Sequence, residues 1–239
     1  MRVCQTKNGP PFRPEDNIGY GNYGTEELRM NQLADVCEEF LRQHEITVYR
    51  NRPEMSLAQV VADSNSKKPD IHFAIHSNAG GGRGCEVFCH RWGGEGEKLS
   101  RAIYAELEPL TPSADRGIRE GCNRFGPGKP LYELANTYAP AVLVEVSFHD
   151  NPDDAAWIVN NIETIGTALA RGILKYFGIP CQENCADLNN WLNVLVKFGV
   201  IQSPDYWSQN AVKGKSVNGE YAAILIKRIA ALLLNNKGL

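Results

Sequence analysis

Two near-continuous apolar runs, each carrying ionisable residues inside it, limit most strongly what this chain can fold into. Asp70-Ile71-His72-Phe73-Ala74-Ile75-His76 leads straight into the small polar turn Ser77-Asn78-Ala79. Ala141 to Phe148 reads AVLVEVSF, with Glu145 set among aliphatic neighbours. Apolar runs of this kind suit strands of a sheet covered on both faces. A histidine or carboxylate inside such a strand needs a partner, because burying an unpaired charge is costly. In open α/β sheets ligands bind at the carboxyl ends of the strands, where His76 falls. The pattern points to a metal site with a general base close by.

Gly24-Thr25-Glu26-Glu27-Leu28 opens a helix, with Thr25 as N-cap and two acids in its first turn. Met30, Leu33, Ala34, Cys37, Phe40 and Leu41 then recur at helical spacing and define one apolar face. Glu27 lies at the edge of that face, so its carboxylate can turn inward. Alternatively, both acids do no more than complement the helix dipole, worth ~0.3–1 kcal/mol each.

Three segments come in order: a helix-opening glutamate with asparagine four residues on (Glu27, Asn31), IHSNA followed by the Gly84-Cys85-Glu86-Val87 strand, and PAVLVEVSFHDN with acids just behind it. Together they resemble the zinc-dependent N-acetylmuramoyl-L-alanine amidases of the amidase type 3 family, over roughly residues 1–180. The resemblance implies a peptidoglycan hydrolase of endolysin or autolysin type, cutting the amide between N-acetylmuramic acid and the L-alanine of the stem peptide. It also implies a zinc ion that acidifies a bound water and polarises the scissile carbonyl. Carried over residue by residue, His76 and Glu27 are zinc ligands and Glu145 is the catalytic acid/base. Asn78, Arg116 and His149 are candidate substrate contacts, Arg116 from the Pro- and Gly-rich stretch 111–140 near the cleft and His149 from its place after the Glu145 strand. Arg116 and Arg119 are candidates for the carboxylates of the stem peptide, against the plainer reading of exposed arginines.

One departure matters. The family takes a first zinc histidine from the turn after its first strand, and here Lys7-Asn8-Gly9-Pro10-Pro11 stands there, with no histidine before His44. A catalytic zinc normally has three protein ligands. The expected replacement is Asp16, from the loop ahead of the Glu27 helix; equally, Glu15 and Asp16 are solvated acids and the metal has two protein ligands and waters. His72 and His76 share a strand face but lie roughly 13 Å apart along it, so His72 is read as a core or partly exposed residue. The missing histidine also motivates a rival reading, a wall-binding protein on an inactive amidase scaffold, against which the buried Glu145 weighs.

The alternation of strand and helix patterns predicts an α/β fold, a twisted, mostly parallel sheet flanked by helices. A small C-terminal all-helical domain is expected behind it. The expected boundaries are a catalytic domain over 1–180, a linker over 181–186 and a helical wall-targeting or oligomerisation module over 187–239. The last helix, within YAAILIKRIAALLL, is apolar on several sides and predicts packing on a partner such as a second copy. A net charge of −3 gives no support to nucleic-acid binding, and no apolar run reaches the ~18 residues of a membrane span. The N-terminal stretch lacks the apolar core of a secretory signal, so the expectation is synthesis in the cytoplasm and action on the wall after release or lysis. Seven scattered cysteines, among them the Cys181/Cys185 pair, read mostly as reduced thiols.

Overall fold

Six strands, β1 (Arg2–Lys7), β2 (Thr47–Arg50), β3 (Ile71–Asn78), β4 (Glu86–Cys89), β5 (Ile118–Glu120) and β6 (Ala141–Phe148), form one sheet. Their order is β2-β1-β3-β6-β4-β5. The computed structural model describes residues 1–7, 18–52, 54–113, 116–181, 185–212 and 214–236. β1 pairs in parallel with β2 and β3, β3 with β6, and β4 with β5, whereas β4 and β6 run antiparallel. The expected mostly parallel α/β architecture is therefore present.

Alternation along β3 decides what each face does. Ile71, Phe73 and Ile75 point to one side, where they join Val142, Val144 and Val146 of β6 in the main core. Three helices cover that side: α1 (Glu26–Gln43), α3 (Glu95–Leu107) and α6 (Ile162–Phe177). They contribute Met30, Leu33, Cys37 and Leu41, then Leu99, Ile103 and Leu107, then Ile165, Leu169 and Ile173. The opposite face carries a smaller cluster of Ala74, Phe88, Leu134, Ala141 and Leu143. Leu134 belongs to a short helix, α4 (Tyr132–Asn136). His72 and His76 share this second face with Ala74, which keeps them out of the main core.

Local chemistry sets the helix ends. Thr25 Oγ1 accepts from the Leu28 amide at 3.2 Å, as its N-cap position requires. A second helix, α2 (Leu57–Lys67), starts with a capping box between Ser56 and Gln59. The apolar periodicity of residues 153–177 is shared by two helices: α5 (Pro152–Asn160) ends before α6 begins, with Asn161 at φ −129° between them. The Asn161 amide group donates to the Trp157 carbonyl at 2.8 Å, so the side chain satisfies the acceptor that the break exposes. Gly178 closes α6 in the left-handed conformation, φ 67°.

Residues 1–181 and 182–239 form separate compact units. The second contains α7 (Cys185–Lys197), α8 (Pro204–Asn210) and α9 (Gly219–Asn236). Leu192, Val200 and Ile201 are buried in it, with Leu188, Trp207, Leu225 and Ile229 packed around them. The apolar wealth of α9 is thus partly used within the unit, although Ile226 and Leu234 stay exposed. Among the described residues no disulfide forms, and the Cys185 side chain lies outside them. No helix among them is long and apolar enough to cross a membrane.

The α3–α6 contact depends on Gly172, where an added Cβ would stand 2.4 Å from Ile103 Cα. Because the obstacle is backbone, Gly172→Ala is expected to force the helices apart at a cost of about 1–3 kcal/mol. The measurement is the urea midpoint of unfolding; a midpoint equal to wild type would show that the contact tolerates the methyl group.

Candidate active site

The carboxyl ends of β3 and β6 lie side by side because these strands are parallel, and His76 is paired in register with Glu145. Across the antiparallel β4–β6 ladder Glu145 is in turn opposite Glu86. Three ionisable side chains from three adjacent strands therefore meet at one edge of the sheet. Two helices add carboxylates. Glu26 heads the buried stripe of α1, four residues before Met30 and seven before Leu33, and its Oε1 stands 3.6 Å from His76 Nδ1. That same oxygen accepts the Ser77 amide at 3.0 Å. Glu133 of α4, only 3% exposed, places Oε1 3.4 Å from His72 Nε2 and Oε2 3.6 Å from His76 Nε2.

The helix phase separates the two acids that open α1. Glu26, not Glu27, turns its carboxylate to His76, while Glu27 is half-buried at the edge of the apolar face and its backbone carbonyl accepts from the Asn31 side chain. His72 is a core residue, as expected. It is fully buried, with Nδ1 3.0 Å from Ser64 Oγ and Nε2 turned to Glu133. Glu133 was not anticipated, since α4 is one short turn within a Pro-rich stretch.

The remaining candidates divide. Asn78 donates to Glu86 Oε1 at 2.6 Å and so orients that carboxylate. Arg116 and Arg119 place Nε 3.4 and 3.1 Å from Glu86 Oε2, and Arg124 approaches Oε1 at 3.9 Å. The Arg116 guanidinium also lies over the Phe148 ring, 5.0 Å from its centre. His149 does not open to a ligand as expected: it is 3% exposed, with Nδ1 2.9 Å from Ser77 Oγ. Its burial follows from the chain turning under the site just after β6. Asp16 and Glu15 lie outside the described residues.

Burial and partners pull the titration of these groups in opposite directions. Burial pushes the Glu145 carboxyl up to about 8, reinforced by Glu26 and Glu86 and opposed by His76 and Arg124. Burial works against a charged His76, but contacts with Glu133 and Glu26 outweigh it and raise the imidazole to about 10. For Glu26 and Glu133 burial favours the neutral acid; the histidines overcome it and hold both carboxyls below their usual range.

His76 Nδ1 and Glu26 Oε1 stand 3.6 Å apart, close to the ~3.4 Å between donors on one edge of a tetrahedral site with ~2.0–2.1 Å bonds. Among the described residues no third His, Cys, Asp or Glu joins them in a metal-holding group. Comparison with known proteins gives this arrangement its context. The sequence profile of the N-acetylmuramoyl-L-alanine amidase family, Amidase_3, matches residues 15–175.

The chain belongs to that family.

It is 30% identical over 155 residues to the N-acetylmuramoyl-L-alanine amidase CwlM of Bacillus licheniformis, covering 64% of this chain and 55% of that protein. The germination-specific N-acetylmuramoyl-L-alanine amidase of Bacillus subtilis is 25% identical over 134 residues, 54% of each chain. This chain therefore spans about half the length of these curated relatives. Among solved structures, the catalytic domain of CwlV from Bacillus (Paenibacillus) polymyxa shares the fold, with TM-score 0.64 and 22% identity over 75% of this chain and all of that one. Cwp6 of Clostridium difficile gives TM-score 0.62 at 29% identity, over 73% of this chain and 29% of its own.

In this amidase fold the glycine-rich turn after β3 is tied down by residues that follow β6. Asp150 Oδ2 accepts the amides of Gly80 and Gly81 at 2.7 and 2.9 Å. Asp154, fully buried, accepts the Gly84 amide at 2.9 Å, the Ser147 hydroxyl and Arg83 Nε. Asp154→Ala is expected to destabilise the protein by about 1.5–3 kcal/mol, the worth of a hydrogen bond to a charged group. It should also speed hydrogen exchange at Gly84, and unchanged exchange there would contradict the anchoring.

Proposed function

We propose that this amidase-family protein is a zinc-dependent peptidoglycan hydrolase that cuts the amide between N-acetylmuramic acid and the L-alanine of the stem peptide. The observation that carries the reading is Glu145. Its Oε2 is buried without a hydrogen-bond partner among the described residues, on the strand end next to His76. A carboxylate with an uncommitted oxygen beside a metal-ligand pair is the arrangement that proton transfer in amide hydrolysis needs.

His76 and Glu26 would hold the metal. A zinc ion bound there supplies a Lewis acid that polarises the scissile carbonyl and lowers the pKa of a water. Glu145 takes the proton of the attacking water and returns it to the leaving amine of L-alanine. Its raised pKa suits the second half of that role, since a group that stays protonated near neutrality can act as an acid. Glu26, held ionised by His76 and the Ser77 amide, suits a ligand. Around Glu86, three guanidinium groups face one carboxylate, which leaves positive charge for the carboxylates of the stem peptide. In this reading Arg116 is a substrate contact and Asn78 acts by orienting Glu86. The helical unit at the C-terminus is proposed to serve wall targeting or self-association.

Glu145→Gln is expected to keep the fold and zinc uptake while lowering hydrolysis of purified peptidoglycan by at least ~100-fold. A variant that cuts at the wild-type rate would remove Glu145 from the chemistry. The two adjacent acids of α1 separate equally sharply. Glu26→Gln should weaken zinc binding beyond the ~10–100-fold that loss of a supporting group costs, and Glu27→Gln should leave it near wild type. The reverse order in a competition titration would restore Glu27 as the ligand.

A further inference from the structure

We infer that Glu133 is a positioning residue for His76, locking the ring so that Nδ1 is the nitrogen offered to the metal. The inference rests on the functional reading above and concerns a carboxylate that neither the family resemblance nor the sequence pattern singled out.

Three atoms define the problem. His72 Nε2, His76 Nε2 and Glu133 Oε1 are buried and have no hydrogen-bond partner of ordinary length among the described residues. They face one another instead: Glu133 reaches His72 through Oε1 at 3.4 Å and His76 through Oε2 at 3.6 Å. The Cys4 thiol also reaches the His72 ring, but Glu133 is the carboxylate that faces both nitrogens, so it is where their N–H bonds can be directed.

The other edge of each ring is already committed. His72 Nδ1 is held by Ser64 Oγ at 3.0 Å, and His76 Nδ1 faces Glu26 Oε1 at 3.6 Å. The two nitrogens of an imidazole diverge, so a single ion cannot take both. A metal shared by His76 and Glu26 must lie on the Nδ1 side, which puts Glu133 on the opposite edge as a supporting group. A neutral imidazole carries its proton on one nitrogen and a lone pair on the other. Glu133, as an acceptor, draws the proton to Nε2 and leaves the Nδ1 lone pair for the metal. Carboxylates placed behind ligating histidines in this way select the tautomer, hold the ring and raise its basicity.

His72 has a definite part in this. By holding Oε1 it prevents the Glu133 carboxylate from rotating away from His76, and it supplies a second contact to a carboxylate that is 3% exposed. The chain Ser64–His72–Glu133–His76–Glu26 thus runs from α2 across β3 and α4 to the start of α1. It stiffens a site in which two metal donors come from the described residues.

The test uses the full chain loaded with zinc and labelled with ¹⁵N. Long-range proton–nitrogen correlations of the His76 ring should show the proton on Nε2 and the zinc on Nδ1. Zinc coordinated through Nε2 overturns the inference while leaving the functional reading in place. Glu133→Gln, close in shape, offers one amide oxygen to two imidazole N–H groups. It should bind zinc about 10–100-fold more weakly in competition with a chromophoric chelator. A folded Glu133→Gln protein with wild-type zinc affinity also overturns the inference. A wild-type protein that takes up no zinc contradicts this inference and the functional reading together.

Discussion

Four ionisable side chains that water reaches poorly, His72, His76, Glu26 and Glu133, make the site depend on their mutual pairing. Each would be expensive to bury alone. Together they place two carboxylates against two imidazoles at 3.4–3.6 Å. The requirement reaches well beyond the site. It draws the first turn of α1 over the end of β3, and it brings α4 down onto the opposite face of the sheet. The register between β3 and β6 is needed as well, because a slip of one residue would send His76 or Glu145 to the wrong face. The apolar core on the α1, α3 and α6 side supplies most of the buried surface, and the polar chain sets where the strand ends meet.

The antiparallel β4 strand adds the second half of the arrangement. Because it runs against β6, Glu86 faces Glu145 rather than lying at the far end of the sheet. Glu86 is 1% exposed, so its charge must be answered, and Asn78, Arg116, Arg119 and Arg124 answer it. One negative charge thereby gathers three positive ones beside the proposed acid/base. Beneath the site Asp150 and Asp154 hold the glycine turn after β3, so strand ends, turn and arginines are supported by the residues that follow β6.

The elements that could be read from sequence were those whose signals are local and repeated. β3 and β6 stand out as apolar runs interrupted by charge, the α1 face repeats at helical spacing, and Thr25 announces its cap. The fold and the family followed from the order of these signals. Glu26 and Glu27 could not be separated, because neighbouring acids differ by about 100° on a helix and both lie near the edge of an apolar stripe. Glu133 was hidden for a different reason. Its helix has five residues, too few for a period to show, and the histidines that explain its burial lie on a distant strand. The break at Asn161 left only an Asn-Asn pair inside an otherwise continuous apolar face. His149 was misplaced because sequence shows that it follows β6 but not that the chain turns it under Ser77.

In the proposed function His76, Glu26 and Glu145 serve amide hydrolysis at the muramoyl–alanine bond. The most direct measurement is the chemistry of the ends released when the zinc-loaded protein digests purified peptidoglycan. Digestion is expected to yield new L-alanine amino termini and no new reducing sugar ends, with both release and turbidity change lost when a chelator removes the metal. New reducing ends, new amino termini from residues deeper in the peptide, or L-alanine release that persists without metal would contradict that function.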